Sequence, residues 1–126
     1  MIDTAVNLVE ATVQLQQVSP AGQRTVGTGF LISASNADGS PRTILVTANH
    51  VFVDMKGPTA EVGYRTDRPD GTWSFTPQSL RIRDDEGEPL WTAHPSQDVA
   101  AITIQAPKAF AQAAIPVNYL ATEEDL

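Results

Sequence analysis

The sequence contains no cysteine among its 126 residues. Disulfide bonds, thiolate metal sites and a cysteine nucleophile are therefore excluded. Long apolar runs are also missing, since no stretch approaches the roughly 20 residues that a transmembrane helix needs. The N-terminus has neither the basic start nor the apolar stretch of a signal peptide. We therefore expect no membrane partner, and the residues alone leave the compartment unknown.

Positive charge is scarce in the chain. Eight Lys and Arg residues stand against 15 Asp and Glu residues, which gives a net charge of −7, and the basic residues do not cluster. An acidic chain of this kind is a poor partner for nucleic acid or for an anionic membrane. The stretch "GQRTVGTG" contains glycines but lacks the Lys-Ser/Thr pair of a phosphate-binding loop. We therefore expect neither a nucleotide nor any other cofactor.

The residues that are present follow the pattern of a single globular domain over 1–126. Hydrophobic residues make up 41% of the chain and charged residues 18%, as in an ordinary folded protein. Apolar side chains alternate with polar ones from Val9 to Leu15, which predicts a half-buried strand. Six or seven such short segments follow one another, with turn signals roughly every 8–12 residues. This spacing predicts an all-β antiparallel barrel or sandwich.

Turn residues and short breaks refine this prediction. The apolar runs "TGFLIS" and "RTILVTA" are separated by a loop that contains Asp38-Gly39, a pair typical of hairpin turns. "DRPDG" predicts a second turn, and "DDEGEP" a further polar break. Helix is expected to be limited to one turn in "HVFVD" and one in "PKAFAQAA", where proline at the first helical position is tolerated.

Two stretches, "TANHVF" and "HPSQDVAAITI", each have a titratable residue at the edge of an apolar strand. His50 directly follows "ILVTA", and Asp98 directly precedes "VAAITI". Side chains at the end of one strand and the start of another can meet across a small barrel. The carboxylate would then accept the imidazole Nδ1–H and leave Nε2 free as a general base. The alternatives are a surface or capping histidine and a turn aspartate.

The order of "GTGFLIS", "ILVTANHVF" and "HPSQDVAAITI" resembles the N-terminal half of a trypsin/chymotrypsin-like serine protease of the bacterial, cysteine-free type. In that family a Gly-x-Gly-Phe strand precedes the motif with the general base, and a later Asp-Ile/Val-Ala motif carries the aspartate that orients it. The resemblance assigns these catalytic roles to His50 and Asp98. Asn49 stands where the family usually has a small residue. The residues that match the strand against the base and the small pair before it are Gly27, Thr28, Gly29, Phe30, Thr47 and Ala48.

The resemblance implies one six-stranded Greek-key barrel of a two-barrel enzyme with its active site in the cleft between the barrels. We expect the second barrel, with the nucleophilic serine, the oxyanion donors and the primary specificity pocket, to be missing from this chain. No serine of the sequence lies in a Gly-Asp-Ser-Gly-Gly setting or follows Asp98: Ser19, Ser33, Ser35, Ser40, Ser74, Ser79 and Ser96. The expected function is therefore the N-terminal domain of a serine endopeptidase that is inactive alone.

The partners that the resemblance implies are a C-terminal protease barrel and a protein or peptide substrate. An uncovered cleft face also predicts self-association of the isolated chain. Family analogy alone suggests a secreted or periplasmic location. Two other functions remain open: a non-enzymatic barrel that acts as a protein-interaction module, and a protease assembled from two chains.

The other polar candidates have simpler interpretations. His50, His94 and Asp98 could be imagined as a metal site, but Pro95 argues against helical spacing of the last two. The acidic run 84–88 lacks the ligand spacing of a calcium loop and is interpreted as a solvated turn. We therefore predict no metal. Trp73 and Trp91 could form a binding platform, but packing in the core or at the barrel end is the default.

Overall fold

The computed structural model describes residues 11–107, Phe110 and 114–116, and these residues are arranged mainly in β-strands. Six strands have five to twelve residues, and two more have two residues each. The predicted all-β class with little helix is confirmed. The elements are β1 (Thr12–Val18), β2 (Arg24–Ser35), β3 (Pro41–Thr47), α1 (Asn49–Asp54), β4 (Thr59–Asp67), β5 (Trp73–Arg81), β6 (Thr92–Ala93), β7 (Ala100–Ile104) and β8 (Ile115–Pro116).

The strands form one sheet with the order β5-β4-β1-β2-β3-β7-β6, and β8 pairs with β2 off this path. The β2–β8 pair is parallel, whereas the other pairs are antiparallel. Because β5 and β6 end the order, the pairing is that of an open sheet. With the short strands β6 and β8, the described residues form eight strands, where the resemblance implied six.

The predicted hairpin turns are present between the long strands. The amide of Gly39 donates a hydrogen bond to the carbonyl of Asn36 over 3.0 Å, and this turn joins β2 to β3. The amide of Gly71 makes the same contact with Arg68 over 3.1 Å between β4 and β5. Both glycines have a φ of 86°, a left-handed conformation that glycine adopts without a Cβ clash. Glycine at these positions therefore fixes where each strand turns back.

The core lies on the face of the sheet toward which β1 directs every second side chain. Ala11, Val13 and Leu15 are each no more than 1% exposed, as their alternation predicts, whereas Val9 lies outside the described residues. Helix α1 adds Phe52, which is fully buried in the same cluster. Burying a side chain of this size stabilises a fold by about 1.5–3 kcal/mol. The helix that follows β3 is therefore anchored to the core through its middle.

The two helical predictions have different outcomes. Helix α1 covers the predicted "HVFVD" stretch and begins one residue earlier, at Asn49. The predicted turn in "PKAFAQAA" lies outside the described residues except for Phe110, whose ring stacks on that of Tyr64 with centroids 4.8 Å apart. Within the described chain, no helix has the length and apolar character needed to cross a membrane.

Candidate active site

The end of β3 is fixed where it leads into α1. Thr47 is only 5% exposed, and its hydroxyl donates a hydrogen bond to the carbonyl of Thr28 on β2 over 2.9 Å. Gly29 pairs with Thr47, and a Cβ at Gly29 would lie 2.8 Å from the carbonyl oxygen of Val46. Real Cβ atoms do not approach this closely, so a glycine permits the two backbones to pair here. The end of β3, which leads to His50, is therefore held at a fixed position relative to β2.

The start of the helix is packed as closely against β2. A Cβ at Gly27 would lie 2.6 Å and 2.7 Å from the two methyl carbons of Val51. Val51 directly follows His50 and is 6% exposed. The absence of a side chain at Gly27 therefore lets α1 approach β2. The two glycines of "GTGF" thus contribute to the location of His50 through sterics alone.

Antiparallel pairing brings Asp98 to the same edge of the sheet. β7 pairs with β3 so that Ala100 lies opposite Thr47. Residues just after Thr47 and just before Ala100 must then be neighbours, because antiparallel strands run in opposite directions. His50 and Asp98 are three and two residues beyond that pair. This register is the reason why residues 48 positions apart in the sequence come together.

The His50 and Asp98 side chains are in direct contact. Nδ1 of His50 lies 2.6 Å from Oδ2 of Asp98. The second oxygen, Oδ1, accepts the backbone N–H of His50 over 2.9 Å. A carboxylate accepts and does not donate, so Nδ1 carries the proton and Nε2 of the neutral ring carries the lone pair. The predicted meeting of the two side chains is thereby confirmed, while their catalytic role stays a prediction.

Asp98 also accepts a hydrogen bond from the N-terminal end of helix α1. The N-cap residue of α1 is Ala48, which has no side chain that can accept a hydrogen bond from the first helical amides. The Oδ1 atom of Asp98 accepts the amide of His50 in its place. A negative charge at a helix N-terminus is favourable because the free amide groups point toward it. One carboxylate therefore orients both the ring of His50 and the backbone that carries it.

The pair changes the protonation of both groups. The hydrogen bond to Asp98 raises the pKa of His50 above its ordinary value, and attraction to the Asp98 charge adds to it, with a smaller contribution from Asp54. The hydrogen bond from the His50 ring likewise lowers the pKa of Asp98, followed by the backbone hydrogen bond. The side chains are 65% and 56% exposed. Solvent therefore reaches the pair, and the proton on Nδ1 is held by geometry more than by burial.

The remaining candidates do not join this pair. Nδ1 of His94 accepts the amide N–H groups of Ser96 and Gln97 over 3.1 Å and 3.0 Å, so His94 belongs to its own loop. Ser96 also has its hydroxyl 3.4 Å from Nδ1 of His94. Within the described residues, no three His, Asp or Glu side chains are grouped to hold a metal ion. The acidic run is a turn in which Oδ1 of Asp84 accepts the amides of Glu86 and Glu88.

The two tryptophans have different environments. Trp91 is 9% exposed and stacks on Phe52 with ring centroids 5.1 Å apart, which confirms the expected core packing. Trp73 is 51% exposed and contacts Phe75 edge to face at the β4–β5 hairpin. Sequence reasoning missed that the indole N–H of Trp91 donates to the side-chain oxygen of Asn49 over 2.9 Å. Asn49, a polar residue where the resembling family has a small one, marked the position as unusual but did not indicate its partner.

Comparisons of the chain with protein-family models, with curated proteins and with solved structures give no match. The case for a function therefore depends on the His50–Asp98 geometry and on the sequence motifs that surround it.

Proposed function

We propose that this chain is the first β-barrel of a trypsin-like serine endopeptidase, with His50 as the general base and Asp98 as the residue that orients it. The observation that carries this proposal is the 2.6 Å contact between Nδ1 of His50 and Oδ2 of Asp98. It fixes the tautomer in which Nε2 can take a proton from a hydroxyl nucleophile. Asp98 would then stabilise the imidazolium that forms.

The proposed fold is a six-stranded Greek-key barrel. The order β4-β1-β2-β3 within the sheet supports it, because a fourth strand that returns beside the first is the Greek-key arrangement. Two contacts link the region of β5, at one end of the sheet, to the side formed by β7 and β6, and they support closure. Gln78 on β5 donates its side-chain N–H to the carbonyl of Gln105, just after β7, over 3.2 Å. The amide of Leu90, near β6, donates to the carbonyl of Ile82, next to β5, over 2.9 Å.

The proposed reaction needs groups besides the His50–Asp98 pair. Acyl transfer requires a nucleophile within hydrogen-bond reach of Nε2 and donors for the oxyanion, and loss of one such donor typically lowers the rate about 10²–10³-fold. We assign both to a second barrel, as the resemblance implies. The exposure of His50 and Asp98 is consistent with a surface that such a partner covers. Val53 and Val99, 40% and 43% exposed, flank the pair in the chain and would be covered with it.

The proposal is tested with an active-site-directed fluorophosphonate. The coding region that follows Leu126 should be expressed together with this chain, and a serine beyond residue 126 should become labelled. His50→Ala should abolish the labelling, because the serine loses its base. The chain alone should show neither labelling nor hydrolysis of a general protein substrate.

Three outcomes distinguish the alternatives. Robust labelling of the isolated chain would contradict the division of the triad between two barrels. Downstream sequence without such a serine would favour a protein-interaction module or a protease assembled from two separate chains. These two are separated by mixing the chain with candidate second barrels and assaying activity, and light scattering of the chain alone tests the predicted self-association.

A further inference from the structure

Helix α1, which carries His50, is held at its C-terminal end by one arginine. The guanidinium of Arg83 donates from Nε to the carbonyl of Met55 over 3.1 Å and from Nη2 to the carbonyl of Phe52 over 3.3 Å. The last carbonyl groups of a helix have no partner within it, and a cation there is favourable. Arg83 therefore supplies both a charge and two donors where α1 ends.

The N-terminal end of α1 is held by Trp91, which belongs to the same segment as Arg83, residues 83–91. Trp91 donates its indole N–H to Oδ1 of Asn49, the first helical residue, over 2.9 Å. The ring of Trp91 stacks on that of Phe52, and the Cζ of Arg83 lies over the ring of Trp91, 4.9 Å from its centroid. Trp91 is thus fixed by stacking, and its N–H is directed at the residue before His50.

These contacts matter because α1 is too short to be stable by itself. It has six residues, and isolated helices shorter than about 12 residues are marginal in water. Its orientation must come from what it touches. Phe52 anchors its buried face, Asp98 accepts from its first turn, and the segment 83–91 contacts both of its ends. The contacts of segment 83–91 differ from the others because they include hydrogen bonds that reach α1 from outside the His50–Asp98 pair, through Trp91 and Arg83.

We propose that Asn49, Trp91 and Arg83 form a clamp on helix α1 that sets the position of the His50 imidazole against Asp98. Asn49 and Trp91 are then positioning residues of the pair, and neither touches the reacting atoms. The geometric part of this inference stands without any enzymatic activity, whereas its consequence for catalysis rests on the proposed function. The resembling family has a small residue at the position of Asn49. The polar side chain found here is explained as the acceptor for the N–H of Trp91.

The charged groups that face His50 must be kept constant in a test. Asp98 and Asp54 act on its protonation, and Arg83 packs under the same helix. Trp91→Phe and Asn49→Ala change none of these charges. Trp91→Phe retains an aromatic ring against Phe52 and removes the N–H donor. Asn49→Ala removes the acceptor and places a better helix former in the first turn, so this variant should fold even if the first does not.

The test uses nuclear magnetic resonance on the chain and two readouts at His50. The first is hydrogen exchange of the His50 amide, which reports its bond to Asp98. The second is the pKa of the His50 ring from a titration of its 15N shifts. Each variant should speed amide exchange by about 3- to 10-fold, the range expected for one lost hydrogen bond, and should move the pKa of His50 down toward its ordinary value. The control Trp73→Phe, at an exposed tryptophan on the β4–β5 hairpin, should change neither.

The double variant Trp91→Phe with Asn49→Ala tests whether Trp91 affects His50 through its hydrogen bond to Asn49. Because both changes break the same bond, the double variant should match either single one, and the effects should not add. Unchanged exchange and pKa in folded Asn49→Ala would overturn the clamp, and so would additive effects. Failure of the proposed function has a different signature, because fluorophosphonate labelling would then be missing in the wild type while the His50 readouts still respond.

Discussion

Two segments of the molecule each present an exposed histidine near the end of a strand, and they use the same nitrogen in opposite ways. In segment 47–54, Nδ1 of His50 lies 2.6 Å from a carboxylate oxygen. In segment 93–98, Nδ1 of His94 accepts two backbone N–H groups from its own loop. The neutral His50 ring therefore has its proton on Nδ1, whereas the neutral His94 ring has it on Nε2.

The difference between the segments is one of sequence separation. His94 contacts residues two and three positions away, so its hydrogen bonds need only a local turn. The partner of His50 is 48 positions away and depends on the register of β3 with β7. Asp98 lies four residues after His94 yet directs both carboxylate oxygens to His50. The two histidines therefore have different structural settings, and the proposed function gives a chemical role to His50 alone.

The largest expected effect separates the two histidines by activity. In a protein that joins this chain to the proposed second barrel, His50→Ala should lower kcat by about 10⁶-fold, the usual cost of losing the base of a serine triad. His94→Ala should leave kcat close to the wild-type value, because Nδ1 of its ring accepts hydrogen bonds from its own loop. Steady-state hydrolysis of a peptide substrate measures both, with thermal unfolding as the control for folding. Equal losses of kcat in the two variants would contradict the different roles proposed for His50 and His94.

A smaller effect is expected from the close packing of Gly27 against Val51, which lies in the segment of His50. Gly27→Ala would bring a methyl group to within 2.7 Å of Val51, whose β-branched side chain cannot rotate away freely. We expect a loss of about 1–3 kcal/mol in the free energy of unfolding, typical of overpacking, from urea denaturation. The ring 15N signals of His50 should shift, while those of His94 should not.

The matched control for this substitution is a second change at the contact. Adding Val51→Ala to Gly27→Ala removes the methyl groups that clash, so the double variant should be no less stable than Val51→Ala alone. Additive losses would show that the strain lies elsewhere than at the β2–α1 contact. A shift of the His94 signals as large as that of His50 would show that the two segments respond as one.

Much of this arrangement could be predicted from local patterns. Alternation identified the buried side chains Val13 and Leu15, and glycines marked the turns at Gly39 and Gly71. The meeting of His50 with Asp98 could be expected because each stands at a strand end. Local signals were sufficient where one physical cause determines the residue type at a position, as at a turn glycine or a buried strand position.

The parts that could not be predicted lack a local signal. The strands β6 and β8 have two residues each, and two residues cannot display a period. The bond from Trp91 to Asn49 joins residues 42 positions apart and depends on how the segment 83–91 folds back under α1. Sequence could suggest that Trp91 is buried, but not which acceptor its N–H would find.

The smallest expected effect is the pH dependence of stability that the pair adds to the His50 segment. The folded pKa of His50 is raised, so its contribution is fully present below the unfolded value of 6.5 and is lost as the pH rises through the folded pKa. The folded pKa of Asp98 is lowered, so its contribution is present above 3.8 and is lost as the pH falls through the folded pKa.

Asp98→Asn should therefore lower Tm most between about pH 3.8 and 6.5, and the difference from the wild type should shrink as His50 loses its proton above that window. Both side chains are exposed, so the difference should be small and should diminish with added salt. Thermal unfolding followed by circular dichroism across this range measures it. In a His50→Gln background the same substitution should lose the pH-dependent part of its effect, because no imidazolium remains to pair. If that part persists, Asp98 is responding to a group other than His50, and the contrast between the two histidine segments would need another cause.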